Sequence, residues 1–566
     1  MSIFYDKINS IINRSIFIRQ YDSITAEGKS KTLFHNLNRS SKSLLLARAF
    51  MQTGKNIIFV TADDKVAEDY LDDLDLLVGK ESDHFLPDYE VLPYEQRSPH
   101  YMIRAQRIET LTAAVSDKPS IFSVSIRAIL RKIVSADIFR KNIITLNKNE
   151  EYNPEILISN LVGMGYENQF QVSKIGEIAR RGGIIDVFSP NSTKPVRIEF
   201  FGDEVESIRV FSISSQRSTG EEMDTVTLIP SREFSLHDID TDEKLWERIH
   251  KYGFYDGIEL DVSLLLPKVE TFLEYFSPEN CVIFWDEFQF FFSCFNEIFE
   301  ETTDLFQKVH FKYKKRIIPI PEDIFESERF INKVFKNYPN FFLSSSFQDF
   351  KEISERCKAP TTSQTNMHGN LDLLEKDIKE KLQKGYRIFI QSDNTSQSKR
   401  MQDLLPQFEE QIDFTIGVFQ NGFNLTDGKL AIYTDHEIFS RYKRKRRQAR
   451  FTKDEALVDY ESLKPGDYVV HIDHGIGIYA GLKKLNIEGS NIECLTLKYA
   501  ENDVVYVPTF QLSLVSKFVS EEGIAPVIHK LGSKKWKYAK RRAKKQIELV
   551  AEDLIKLYAE RKLRTG

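Results

Sequence analysis

The chain has 566 residues, 41% hydrophobic and 29% charged, with a formal net charge of −6. At roughly 150 residues per domain that length implies about four domains, and the balance excludes a disordered, collagen-like or low-complexity chain. The acidic net charge argues against a protein built mainly to coat nucleic acid. No run of about 18 uncharged apolar residues is long enough to span a bilayer, and the N-terminal stretch MSIFYDKINSIINRSIFIRQYDS carries charges through its apolar part. A packed cytoplasmic protein with no membrane partner is expected. The four cysteines, Cys281, Cys294, Cys357 and Cys494, lack the CxxC spacing of zinc and redox motifs and read as core thiols, so no metal is expected.

In chain order, KNIIFVTADD (55–64) is an apolar run followed by the amphipathic VAEDYLDDLDLLVG, and PSIFSVSI (119–126) leads likewise into RAILRKIV. Strand-then-helix repetition of this kind predicts a parallel sheet with crossover helices, RecA-like or Rossmann-like, over 1–141, and over 232–335 helices return with one strand-like run, NCVIFWDEF (280–288), which the resemblance described below makes the second part of the same domain. Between them, 142–231 is rich in β-type segments (GGIIDVFSP, PVRIEFFGDEVESIRVFS, TVTLIP) and reads as an insert. YRIFIQSD and LAIYTDH mark a second small α/β domain over 340–440, and RYKRKRRQAR opens a basic linker over 441–460. DYVVHIDHGIGIYAGL, IECLTLKYA and VVYVPTFQL predict a compact all-β module at 461–520, and the Lys- and Arg-rich tail predicts a long helix over 524–566. The fold class is therefore multidomain α/β.

Two segments could cradle phosphate. GKS at Gly28–Lys29–Ser30 matches the end of GxxxxGK[ST], with Ser23 in the first glycine position. NLNRSSKSLLLARAF keeps Lys42 and Ser43 at the lysine and hydroxyl positions, but Asn36 and Ser41 replace both glycines. Those glycines let backbone N–H groups wrap phosphate oxygens in conformations that a Cβ disfavours, so no ATPase activity is expected. Asp286 and Glu287 end the apolar run VIFWDEF. They read either as the acid and base of a decayed nucleotide site or as a solvated strand end. In HIDHG, His471, Asp473 and His474 lack a third ligand, so Gly475 and Gly477 there more simply set a turn.

On VRIEFF, alternation puts Arg197, Glu199 and Phe201 on one face and Ile198 and Phe200 on the other. If Ile198 and Phe200 face the core, Arg197 and Phe201 stand exposed together, near Arg180 and Arg181 before the Gly182–Gly183 turn. This is either a protein-binding hot spot or an ordinary surface pair. In KKWKYAKRRAKK, Trp536 and Tyr538 interleave with cations. Lys535, Lys537, Arg541 and Arg542 are candidate DNA contacts there, or one solvated face.

Together these segments carry a family resemblance. LPDYEVLPYEQRSPH (86–100) followed by RAQRIETL resembles the signature of the transcription-repair coupling factor family, Mfd. Residues 165–218 resemble the insert that the family shares with the excision-repair protein UvrB. VVHIDHGIGIYAGL, TLKYAENDVVYVP and HKLGSKKWKYAKRRA resemble its RNA-polymerase-interacting module and the helix after it. The resemblance implies a RecA-like domain with a degenerate phosphate loop and a UvrB-type insert, then a Tudor-like or CarD-like β-barrel. It carries UvrA binding onto Arg181, Arg197 and Phe201, and contact with the RNA polymerase β subunit onto Leu485 with Lys483 and Lys484. The expected function is an adaptor in transcription-coupled nucleotide-excision DNA repair, touching double-stranded DNA weakly or indirectly. The full-length family is an ATP-dependent DNA translocase using ATP and magnesium. Its helicase motifs are not found here, so this chain is expected to need no cofactor. The alternatives are a UvrB-type nucleotide-dependent damage-binding protein and a stand-alone CarD-like polymerase regulator.

Overall fold

The computed structural model describes residues 3–28, 31–213, 215–312, 317–439, 465–471, 474–487, 490–508, 515–517 and 528. The chain forms two compact units, 1–140 with 238–446, and 141–237 with 447–566.

In the first unit seven parallel strands form one sheet. Their order is Glu355–Lys358, Thr32–His35, Asn340–Leu343, Cys281–Asp286, Asn56–Thr61, Ile121–Ser125 and Asp83–Leu86. Helices cover a parallel sheet on both faces, so its inner strands are apolar along their length rather than alternating. CVIFWD is buried at all six positions, and NIIFVT from its second residue on. Thr32–His35 passes into the helix Arg39–Thr53, which Asn38 caps by accepting from the Ser41 N–H and which Gly54 ends in a left-handed conformation.

A second sheet runs in the order Thr361–Ser363, Phe423–Leu425, Leu430–Thr434, Arg387–Ser392 and Ile412–Ile416. The last three strands are parallel and the first two pairings antiparallel. Residues 340–358, expected in the small α/β domain, pair instead into the seven-stranded sheet. NFFL and ERCK are too short to reveal which sheet they join, and only the non-local pairing decides it. The two sheets share a core: Phe34, Phe284 and Phe341 of the first and Phe389, Phe423 and Ile432 of the second lie in one cluster. The N-terminal helices Ile3–Ile12 and Ile16–Ala26 contribute to it, with Phe4 edge-on to Phe389 and Phe419 at 5.9 and 5.4 Å.

In the second unit, the insert is a six-stranded sheet. Its order is Ser218–Glu222, Glu204–Phe211, Val196–Phe201, Ile184–Val187, Glu177–Arg181 and Glu167–Asn168, antiparallel except at the last pair. Ile178, Ile185, Val187, Val196, Ile198, Phe200 and Ile208 form its core with Leu157 and Leu161 of the helix Pro154–Gly163. The C-terminal module is a five-stranded antiparallel sheet in the order Val504–Pro508, Ser490–Lys498, Gly475–Ile487, Tyr468–His471 and Val515–Lys517. Its core is Val469, Tyr479, Leu495, Leu497, Tyr499 and Val507. The linker expected over 441–460 and, apart from Ile528, the helix expected over 524–566 lie outside the described residues.

Candidate functional sites

The candidate phosphate loop is closed on protein groups. Only three residues separate the strand ending at His35 from the helix starting at Arg39, so Ser40 to Ser43 form a buried first turn. Lys42, 4% exposed, places its Nζ 2.5 Å from Asp286 Oδ1 and 2.8 Å from Glu287 Oε1. Tyr70 donates to Asp286 Oδ2 at 3.2 Å. Glu287 also accepts from the Ser345 N–H, Ser344 Oγ and Gln348 Nε2 at 2.6, 2.8 and 3.1 Å. Asn36, at positive φ, donates from Nδ2 to the carbonyls of Ala359 and Thr361, while Ser40 donates to the buried Asp73 at 2.7 Å. Ser43 Oγ donates to the Arg39 carbonyl at 3.3 Å. Burial pushes the Asp286 carboxyl up against the pull of Lys42. At Glu287 burial is outweighed by Lys42 and the Ser345 and Ser344 donors, which hold it below the usual range. Of the two sequence readings, the solvated strand end fails, because both acids face the lysine inside the protein. Sequence gave no signal for Tyr70, Asp73, Ser344 or Gln348, which reach the site from other elements. Of the alternative GKS loop, Lys29 and Ser30 lie outside the described residues.

On the insert, the expected alternation holds along Val196–Phe201, with Val196, Ile198 and Phe200 buried and Phe201 79% exposed. Arg197 is not exposed beside Phe201: its side chain is 14% exposed. Its Nε and Nη2 donate to Asp186 Oδ1 and Oδ2 at 2.7 and 2.9 Å, because Asp186 stands opposite it in register on the neighbouring strand. Those hydrogen bonds, with the charge of Asp186, raise the guanidinium pKa above its usual range. Arg181 Nη2 reaches the same carboxylate at 2.9 Å and keeps 37% of its side chain at the surface. Arg180, on the opposite face, pairs with Glu155 at 2.5 Å. Asp186 was the missed residue, and its signal was the single charge in the strand IIDV. The hairpin before it needs Gly183, since a Cβ there would meet the Phe200 carbonyl oxygen at 2.7 Å.

On the C-terminal module, Leu485 and Lys484 lie on the long strand Gly475–Ile487, in register with Ile492 and Glu493. Lys483 is exposed, with its Nζ 5.4 Å from the centre of the half-exposed Tyr506 ring. His471 and His474 sit ring to ring at 4.5 Å, and Asp473 lies outside the described residues. Among the described residues no helix is long and apolar enough to cross a membrane. The candidate DNA contacts Lys535, Lys537, Arg541 and Arg542 lie outside the described residues.

Comparison with known proteins agrees with this layout. Residues 144–234 match the family model of the UvrB interaction domain, and residues 463–519 match the CarD-like/TRCF RID domain. The chain is 27% identical over 617 residues to the transcription-repair-coupling factor of Bacillus subtilis (strain 168), covering 99% of this chain and 51% of that protein. It is 26% identical over 605 residues to the transcription-repair-coupling factor of Staphylococcus aureus (strain USA300), covering 95% of this chain and 49% of that protein. It thus spans about half the length of the curated relatives it matches. The chain is a homologue of the transcription-repair-coupling factors, and its two domain matches fit the N-terminal portion of such a protein.

Proposed function

We propose that this chain is an adaptor in transcription-coupled DNA repair, binding RNA polymerase through the module at 463–519 and UvrA through the insert at 144–234. The observation that carries this reading is the presence of both matched domains in one chain. The first unit is read as a RecA-like scaffold. The C-terminal module is read as a CarD-like barrel that grips the polymerase β subunit with Leu485, Lys483 and Lys484, and the basic tail as a weak contact to duplex DNA. Phe201, large, apolar and exposed, has the character of an interface anchor. ATP-driven translocation is read as the business of the longer relatives' full length. This chain's own candidate nucleotide site has its lysine engaged by Asp286 and Glu287. That engagement disfavours the UvrB-type nucleotide-dependent reading, and the matched insert disfavours a stand-alone polymerase regulator.

The test is size-exclusion chromatography of the chain with purified UvrA, with RNA polymerase, and with both. The expected outcome is a three-component complex. Phe201→Ser should remove UvrA and keep polymerase, and Leu485→Arg should do the reverse. A folded chain that binds neither partner would sink the proposal.

A further inference from the structure

One buried carboxylate organises the outer face of the insert sheet. Asp186 is 1% exposed and receives three charge-assisted hydrogen bonds, two from Arg197 and one from Arg181. The rest of Arg197 is also occupied. Its Nη1 donates to the Gln216 carbonyl at 3.3 Å, and its guanidinium carbon lies 4.9 Å from the centre of the buried Phe211 ring. Gln216 is itself fixed, its Nε2 donating to the carbonyls of Val172 and Ile213 at 3.1 and 2.8 Å. Arg197 therefore has little surface left to offer a partner. Arg181 differs: it meets Asp186 through Nη2 and stands at the end of its strand, in register with Ile184, which in turn pairs with Glu199 two residues before Phe201.

Resting on the reading that this face recruits UvrA, we infer that Asp186 is its positioning residue. Arg197 acts through Asp186 rather than by touching the partner. The pair holds Arg181 in place on the face that carries Phe201, so a partner meets one oriented cation and one exposed ring. The complementary surface would supply a carboxylate or carbonyl acceptor for Arg181 and an apolar recess for Phe201. Fixing a long side chain before binding lowers the ordering cost of association, an effect of roughly three- to tenfold in Kd.

The experiment is biolayer interferometry of the full chain against purified UvrA, with Asp186→Asn, Arg197→Ala and Arg181→Ala singly and in pairs. Asp186→Asn keeps the shape of the side chain and removes its charge. It should speed dissociation roughly three- to tenfold while association stays the same or rises, since a negative charge is lost beside Arg181. A merely structural defect would instead lower the bound amplitude at unchanged dissociation rate. Asp186→Asn and Arg197→Ala should not add, and neither should matter once Arg181 is alanine. If Arg197→Ala weakens binding as much in the Asp186→Asn background as in the wild type, Arg197 touches the partner and the proposal is wrong. Should Asp186→Asn fail to fold, Arg197→Lys replaces it, because lysine keeps the charge but cannot form the two-pronged contact. A folded wild-type chain that does not bind UvrA overturns the recruitment reading and this inference with it.

Discussion

Replacing Lys42 by alanine tests whether the candidate phosphate loop is a structural clamp. The substitution leaves Asp286 and Glu287 inside the protein without their cation. At an effective dielectric constant of about 20, each contact, at 2.5 and 2.8 Å, amounts to about 6 kcal/mol before desolvation is subtracted. Removing one partner from a buried pair costs about 3–5 kcal/mol net. Tyr70 still donates to Asp286, and Ser344, Ser345 and Gln348 still donate to Glu287, so the lower end applies, about 3 kcal/mol. Because the chain has two units, a single unfolding midpoint is a poor measure. Hydrogen exchange of the strands Thr32–His35 and Cys281–Asp286 reads the loss locally, with exchange expected to accelerate about a hundredfold. The sign with pH follows. Without Lys42, burial raises both carboxyls in the folded state, so the variant regains stability as they protonate at low pH and loses it as pH rises. The defect should be larger at pH 8 than at pH 5. Wild-type exchange rates in Lys42→Ala would refute the clamp. So would a magnesium–ATP-dependent rise in wild-type stability that Lys42→Ala abolishes, because the lysine would then serve phosphate.

Two further outcomes are expected. Burial, then the nearby Asp88 carboxylate, raises Asp64 to about 6, with Ser125, the Asp88 N–H and Arg107 opposing. The folded state thus holds the proton more tightly. The contribution of Asp64 is fully present below about pH 4 and is lost as pH rises through 6. Asp64→Asn should therefore raise stability at pH 7.5 by about 2 kcal/mol, and by almost nothing at pH 4, in denaturant titrations of the first unit's signal. In the insert, Gly183→Ala should destabilise more than Gly182→Ala. The first pushes a Cβ against the Phe200 carbonyl, while the second meets open space and costs only the left-handed backbone, about 1 kcal/mol. Hydrogen exchange of the strand Val196–Phe201 in the two variants decides the order, and equal rates would remove the steric argument.

What the sequence revealed follows the range over which each feature is determined. Local patterns were legible: apolar runs bounded by acidic or turn residues placed Asn56–Thr61, Cys281–Asp286, Arg387–Ser392 and Leu430–Thr434 as strands. The alternation of VRIEFF put Phe201 at the surface. Pairing across the chain was not legible. Nothing local assigns NFFL to the first sheet, where it lies between Thr32–His35 and Cys281–Asp286. Arg197 was misjudged for the same reason. Its face was right, but its exposure depends on Asp186, eleven residues earlier and one strand away.

The segment LPDYEVLPYEQRSPH, one carrier of the resemblance, buries Asp88, Tyr89, Val91 and Tyr94. Asp88 accepts from Arg131 Nε and Nη2 at 2.5 and 3.1 Å, and Arg107, fully buried, donates to the Pro87 carbonyl at 2.5 Å. The Arg107 and Arg131 guanidiniums lie over the Tyr89 ring, at 4.1 and 4.9 Å respectively. Burial alone would raise the Asp88 carboxyl, and the Arg131 charge instead holds it below its usual range. Downstream, Ser98 Oγ donates to Glu259 at 2.7 Å and accepts from the Gly257 N–H at 3.0 Å, tying the segment to a distant turn. A buried charge cluster tolerates loss of a single member poorly, because the remaining ions stay desolvated and unpaired. So both charged clusters of the first unit, the lysine with its two acids and this motif, are closed on protein partners. The geometry makes them internal braces of the first unit.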